Sequence, residues 1–227
     1  QNKDLRNRPL DRFRIMRVAY DSGRRVILLN YAGWIANMCL TSDGLSVTGN
    51  SLYAQEAPGD VIPFSLLKRL VLEKRSVREV LDAIPKLPFE NFCILVGDAT
   101  GHLVCLEQVA GRMNIRDVSQ EAFGHANSIL CEEFKPLEDT KGLGASSPCR
   151  QDIVQRRLDA KRGQITVADI KSIFSDHAEY PLSICRHGDS RGVMTTASFV
   201  ANLTDREMDI AIGHPCTAPF RRYTLDF

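Results

Sequence analysis

Four residues at the boundaries of apolar runs carry side chains that could do chemistry together: Asp4, Asn127 in "FGHANSIL", and Ser190 with Arg191 in "YPLSICRHGDSRG". A buried asparagine amide must find hydrogen-bond partners, and where its N–H groups face a cavity it can hold the oxygen of a tetrahedral intermediate. An arginine beside a carboxylate keeps that carboxylate ionised and can fix a substrate or a catalytic amine. Each residue also has an ordinary structural reading. Asp4 fits a solvated turn, Asn127 an amide capping a strand, and Arg191 half of a surface ion pair.

Other chemistries find no pattern to rest on. The sequence has no G-x-S-x-G elbow, no phosphate-binding G-x-x-x-x-G-K-[ST] loop, no H-E-x-x-H and no G-x-G-x-x-G after a strand. Histidines 102, 125, 177, 187 and 214 are scattered rather than set at ligand spacing. Cysteines 39, 93, 105, 131, 149, 185 and 216 are odd in number and form no C-x-x-C pair, so neither a disulfide framework nor a zinc site is expected. The thiols read as reduced and mostly buried, and no metal or cofactor is expected.

The elements that must position these residues follow from periodicity. Alternation predicts strands at 12–20, 24–30 and 33–40, with "DGLSVTGNSL" as another, separated by the turn signals "DSG" and "SDG". Helices are predicted in "PFSLLKRLVLEKR", with Pro63 in its first turn, and in "SVREVLDAI", with Ser76 and Glu79 at capping-box spacing. Strands return in "NFCILVGD", "HLVCLEQVA", "RMNIRDVS" and, briefly, "AFGHANSIL". The Gly/Ser-rich loop "DTKGLGASSP" leads to a helix in "CRQDIVQRRLDAKR", and another is capped by Thr166 and Asp169. Three antiparallel strands, "GVMTTASFVANL", "EMDIAIG" and "FRRYTL", end the order. Blocks of strands and helices, rather than strict alternation, predict an α+β protein of sheets covered by helices.

At 227 residues, 44% hydrophobic and 25% charged, the chain is long enough for one domain spanning 1–227. A net charge of +1 without single-sign blocks points to neither a nucleic-acid nor a membrane partner. The longest apolar run is interrupted by Asn30, Gly33 and Asn37, so a soluble chain is expected, with an intracellular setting favoured. The sequence opens without Met or a secretion signal and reads as a fragment or processed piece.

Taken in order, "QNKD", "GWIANMCLTSDGLSVTGNSL", "FCILVGDATGHLVCLEQ", "HANSIL", "YPLSICRHGDSRG" and "DREMDIAIGHPCTAPFRRYTLDF" resemble the acyl-CoA:6-aminopenicillanic acid acyltransferase family of N-terminal-nucleophile (Ntn) hydrolases, relatives of the choloylglycine hydrolases. The resemblance runs through nearly the whole chain. Its strongest pieces are "YPLSICR…SRG" and the pattern formed by Gly44, Leu45, Val47, Asn50 and Leu52.

The resemblance implies a four-layer αββα sandwich of two antiparallel sheets, the Ntn hydrolase fold. It further implies autocatalytic cleavage before a cysteine, whose thiol attacks an amide or thioester while its own α-amine, titrating near pH ~7.7–8.0, acts as the base. Asp4 matches the aspartate near that amine, Asn127 the oxyanion-binding amide, and Ser190 and Arg191 the "SRG" whose arginine neighbours the aspartate. The nucleophile belongs upstream of Gln1. The domain is thus expected to be truncated at its nucleophile strand, and this chain alone to be inactive. Implied partners are a small acyl amide or thioester and a cleaved N-terminal propeptide. Amide hydrolysis is the first reading; acyl transfer to an amine and a non-catalytic module of the same fold are the alternatives. The loops "YAQEAPGDVIP" and "EEFKPLEDTKGLGASSP" are expected to shape the acyl pocket, the second being long enough for a lid.

Overall fold

The strand Arg25–Tyr31 shows why the sequence layers as it does. Its residues are buried from Val26 onward, yet they divide by parity between two cores. Val26 and Leu28 pack with Leu67, Val71 and Val80 from two helices, whereas Ile27, Leu29 and Tyr31 meet Ala197, Phe199, Met208 and Ile210 from a second sheet. A strand apolar on both faces must be covered on both sides, and the layers follow from that requirement.

The computed structural model describes residues 1–6, 10–57, 59–84, 87–188 and 192–227. In chain order the elements are β1 (Asn2–Arg6), β2 (Phe13–Ala19), β3 (Arg25–Tyr31), β4 (Met38–Thr41), β5 (Ser46–Ser51), α1 (Phe64–Val71) and α2 (Val77–Ala83). They continue as β6 (Phe92–Gly97), β7 (Leu103–Val109), β8 (Arg112–Asp117), α3 (Ser147–Asp159), α4 (Val167–Phe174), β9 (Val193–Asn202), β10 (Glu207–Ile212) and β11 (Arg221–Tyr223). A seven-stranded sheet runs β2 to β8 in sequence order, and a four-stranded sheet has the order β1-β9-β10-β11. All pairings are antiparallel. α1 and α2 cover the outer face of the large sheet. α3 and α4 join through Ile153, Leu158 and Ile173 with Ile184, and α4 lies along β9. This is the expected α+β sandwich. No helix among the described residues is long and apolar enough to cross a membrane.

Four local differences bear on the site. Residues 2–6, carrying Asp4, form a strand rather than a turn, paired with β9 across almost the whole chain length. The predicted strand at 33–40 shrinks to β4, because Gly33 turns the chain at φ +92° and the Asn30 amide donates to the Trp34 carbonyl at 2.7 Å. "AFGHANSIL" joins no ladder. The Gln151 Oε1 accepts from Ala126 N at 2.7 Å while its Nε2 donates to Gly124 O at 2.8 Å, and Gln155 Nε2 donates to Ala122 O at 2.8 Å. These α3 side chains, one turn apart, satisfy a main chain that a neighbouring strand would otherwise serve. Finally, the expected lid winds into a 3₁₀ turn at Gly142–Ser146 that runs directly into α3. Gly144 there fits so closely that a Cβ would stand 2.1 Å from the Asp139 carbonyl oxygen.

The caps behave as their residue types dictate. Thr166 and Asp169 form a complete capping box at α4. Ser76 accepts from Glu79 N at α2, but the Glu79 carboxylate reaches past it to Arg75 N at 2.9 Å. Pro63 is the residue before α1 rather than within its first turn.

Candidate active site

β1 holds the site because its side chains alternate between two tasks. The Gln1 amide grips the β5 backbone, donating to Gly49 O at 2.6 Å and accepting from Gly49 N at 3.2 Å. Only glycine permits this approach at position 49, since a Cβ would lie 2.4 Å from the Cys93 carbonyl oxygen. Asn2 faces the other way, donating to Phe174 O at 2.9 Å and Ile184 O at 3.1 Å and accepting from Ser198 Oγ at 2.7 Å. It ties α4 and the strap that follows it to the small sheet.

A bulge then sets the direction of Asp4. Asn2 pairs with Ser198 and Asp4 with Thr195, which leaves one extra residue on β9. The extra residue turns Thr195 onto the face of Ser198, where its hydroxyl donates to Asp4 Oδ1 at 2.8 Å. On the other carboxylate oxygen, Oδ2, Arg186 Nη1 stands 3.7 Å away with its side chain buried.

Asp4, Asn127, Arg150 and Arg186 help line a cavity of about 330 Å³. Asn127 is fixed in orientation by partners that can each play one part. Arg150 Nη2, a donor only, reaches its Oδ1 at 3.0 Å, and the Ser51 carbonyl, an acceptor only, takes one Nδ2 hydrogen at 2.8 Å. The amide therefore has a second N–H for an oxygen in the cavity. Burial lowers the Arg150 guanidinium from its ordinary value, and the Asp4 charge opposes that shift.

Behind Asn127, His125 is buried with Glu107, Nε2 to Oε1 at 2.8 Å, and Glu107 also accepts from Leu130 N at 2.8 Å and Cys131 N at 2.7 Å. Burial pushes Glu107 upward, but the His125 ring and the two amides outweigh it and hold the carboxyl below its usual range. Asn50 adds a contact to His125 Nδ1 at 3.2 Å and another to the Ala126 carbonyl.

Part of the lining is apolar. Val154, Leu158, Ile170, Ile173 and Ile184 supply it, from α3, α4 and the strap. Of the two loops expected to shape the pocket, Tyr53 alone lines it among the described residues. Asp4 and Asn127 thus share one cavity, whereas Ser190 and Arg191 lie outside the described residues. Arg186, from the same "SICR" run, is the described arginine beside Asp4. Sequence reasoning missed Gln1, Asn2, Asn50, Arg150 and Arg186 as site residues. The motif "QN-x-D" contained the first two, but nothing local marks Arg150 on a charged helix face. None of the seven cysteines lines the cavity.

The profile of the acyl-coenzyme A:6-aminopenicillanic acid acyl-transferase family matches residues 1–216. Penicillin V acylase from Agrobacterium tumefaciens superposes with a TM-score of 0.57 at 13% identity, covering 83% of this chain, which spans 66% of that protein's length. A variant of conjugated bile acid hydrolase from Clostridium perfringens superposes with a TM-score of 0.58 at 14% identity, covering 97% of this chain and 96% of its own. These likenesses show a shared Ntn hydrolase fold. No curated protein matches the chain.

Proposed function

Because this chain belongs to the acyl-coenzyme A:6-aminopenicillanic acid acyl-transferase family, we propose that it is the body of an Ntn amidohydrolase that cleaves the amide of a small N-acyl substrate. The observation that carries this reading is the cavity itself, which the Asp4 carboxylate and the aimed Asn127 amide line together with aliphatic side chains. In this reading the nucleophilic thiol belongs to a residue outside the 227, on a strand along the edge of β1, the terminal strand of its sheet, which agrees with the cysteines of this chain standing away from the cavity.

In the proposed reaction the thiolate attacks the amide carbon, and the second Asn127 N–H accepts the developing charge as a donor to the oxyanion. The nucleophile's α-amine takes the thiol proton and returns it to the departing amine, with Asp4 holding that α-amine in place. Collapse breaks the C–N bond and leaves a thioester on the cysteine. Water then adds to the thioester, and the carboxylic acid and free thiol separate. Ser190 and Arg191 keep, in this proposal, the roles that the family motif implies. The aliphatic wall seats the acyl chain, and an acceptor amine in place of water would turn the same intermediate toward acyl transfer.

The test is acylation by N-acyl amides and thioesters, followed by intact-protein mass spectrometry. The 227-residue chain is expected to form no covalent adduct, and the parent chain extended upstream through its cysteine is expected to gain one acyl group. An adduct on the 227 residues, or none on a parent that carries the thiol, would sink the proposal. Adding an acceptor amine separates hydrolysis from transfer by the product formed.

A further inference from the structure

Away from the cavity, the strap between α4 and β9 and the turn after β10 bring together His177, Cys185, His187 and Cys216, whose ligand atoms all lie within 4.8 Å of one another. The separations are 3.0 Å between His177 Nε2 and His187 Nε2, 3.7 Å between the two sulfurs, and 3.6 and 3.3 Å from His187 Nε2 to Cys185 and Cys216 Sγ. Zinc bonds of about 2.3 Å to sulfur and about 2.0–2.1 Å to nitrogen at a tetrahedral angle require edges of about 3.8 Å (S–S), about 3.6 Å (S–N) and about 3.3 Å (N–N). The four observed edges agree with these to within about 0.4 Å. Four of the six edges of a zinc-sized tetrahedron are thus in place before any ion enters, and the two from His177 to the sulfurs lie within 4.8 Å.

Its surroundings suit the same purpose. The Cys216 amide donates to the Cys185 sulfur and ties the turn after β10 to the strap. The His214 ring packs against His187 at 4.1 Å and 30°, fixing its plane. Two thiolates and two neutral imidazoles around a dication sum to zero charge, so the buried Cys185 needs no further counter-ion. The sulfurs at 3.7 Å are in van der Waals contact, well beyond the ~2.05 Å of a disulfide. The scattered histidines and unpaired cysteines gave no such expectation from sequence, because the ligands follow no finger-like spacing and converge only through the order β1-β9-β10.

We propose that His177, Cys185, His187 and Cys216 form a structural zinc site that fastens the 177–187 strap to the turn after β10. Four protein ligands leave no open position for a reacting water, so the ion is structural rather than catalytic. Arg186 lies between two of the ligands, so the metal also holds its guanidinium near Asp4.

The full chain, expressed without a polyhistidine tag and purified under reducing conditions, is expected to contain about one zinc per chain by plasma mass spectrometry. Replacement by cobalt(II) should give the visible spectrum of a tetrahedral ion with a sulfur-to-cobalt charge-transfer band. Cys216→Ser and His177→Ala should each lose the metal, while Cys149→Ser should keep it. Chelation should speed amide exchange in the 177–187 strap. The proposal is overturned if the unaltered chain binds neither zinc nor cobalt, if both ligand variants keep the metal, or if peptide mapping of the reduced preparation finds Cys185 joined to Cys216. Should a variant fail to fold, the cobalt spectrum of the unaltered chain decides.

Discussion

Asn127 shows at the scale of one residue how an amide becomes a directed donor. Arg150 and the Ser51 carbonyl each permit a single orientation, so in the proposed reaction the remaining N–H needs no reorganisation when charge develops. In the nucleophile-bearing parent, Asn127→Ala is expected to lower kcat by about 10²–10³ with little change in KM. A raised KM at unchanged kcat would instead make the amide a ground-state contact. Glu107 carries a second expectation. Its carboxyl is depressed in the fold, so the stability it contributes is present above the ordinary carboxylate range and is lost as pH falls through the folded value. Acid unfolding of Glu107→Gln should therefore show a shallower pH dependence than the unaltered chain, measured by urea midpoints at successive pH values. Asp4 and Asn127 were legible because their motifs are short and contiguous. Arg150 was not, since its role depends on a helix docking against a segment more than twenty residues earlier.

Among the elements, α3 does more than cover a sheet. Gln151→Ala would leave the buried Ala126 N–H without its acceptor, and a loss of about 1–3 kcal/mol is expected from chemical denaturation. Gly49→Ala drives a methyl against the Cys93 carbonyl in the middle of the large sheet, where neither strand can retreat, and should cost about 1–3 kcal/mol. An unchanged denaturation midpoint in either variant would contradict the contact on which it rests. The strands and capped helices were readable from alternation and from Ser76, Thr166 and Asp169, which act locally. Residues 122–130 were misread as a strand because apolar residues flank a backbone that is in fact satisfied by glutamine side chains, and periodicity carries no trace of that partner. The strand at 2–6 was missed for a related reason: its pairing partner stands almost two hundred residues away.

At the scale of the whole molecule, the apolar layer between the two sheets also holds a charged group at its border with the cavity. Lys3 sits with Nζ 4.5 Å from the Trp34 ring centre, and burial lowers its pKa from 10.5 to about 8, with Asp4 acting in the opposite sense. The unfolded chain thus binds more protons than the folded one between those values, and stability gains from this group as pH rises through that window. Buried thiols such as Cys39, raised to about 12, act against it in the same range, so the comparison must be with Lys3→Met. The unaltered chain should gain stability relative to that variant from pH 8 to 10.5, and parallel curves would show that Lys3 is not desolvated.

α3 carries two duties on adjacent turns: Arg150 and Gln151 steady the segment that bears Asn127, and Val154 and Leu158 form part of the greasy wall. If the proposed function holds, an acyl chain too long or too short for that wall would push on, or fail to support, the helix that aims the donor. Discrimination among acyl chains should then register as a change in turnover rather than in apparent affinity, which makes the helix a ruler whose reading is taken at the carbonyl.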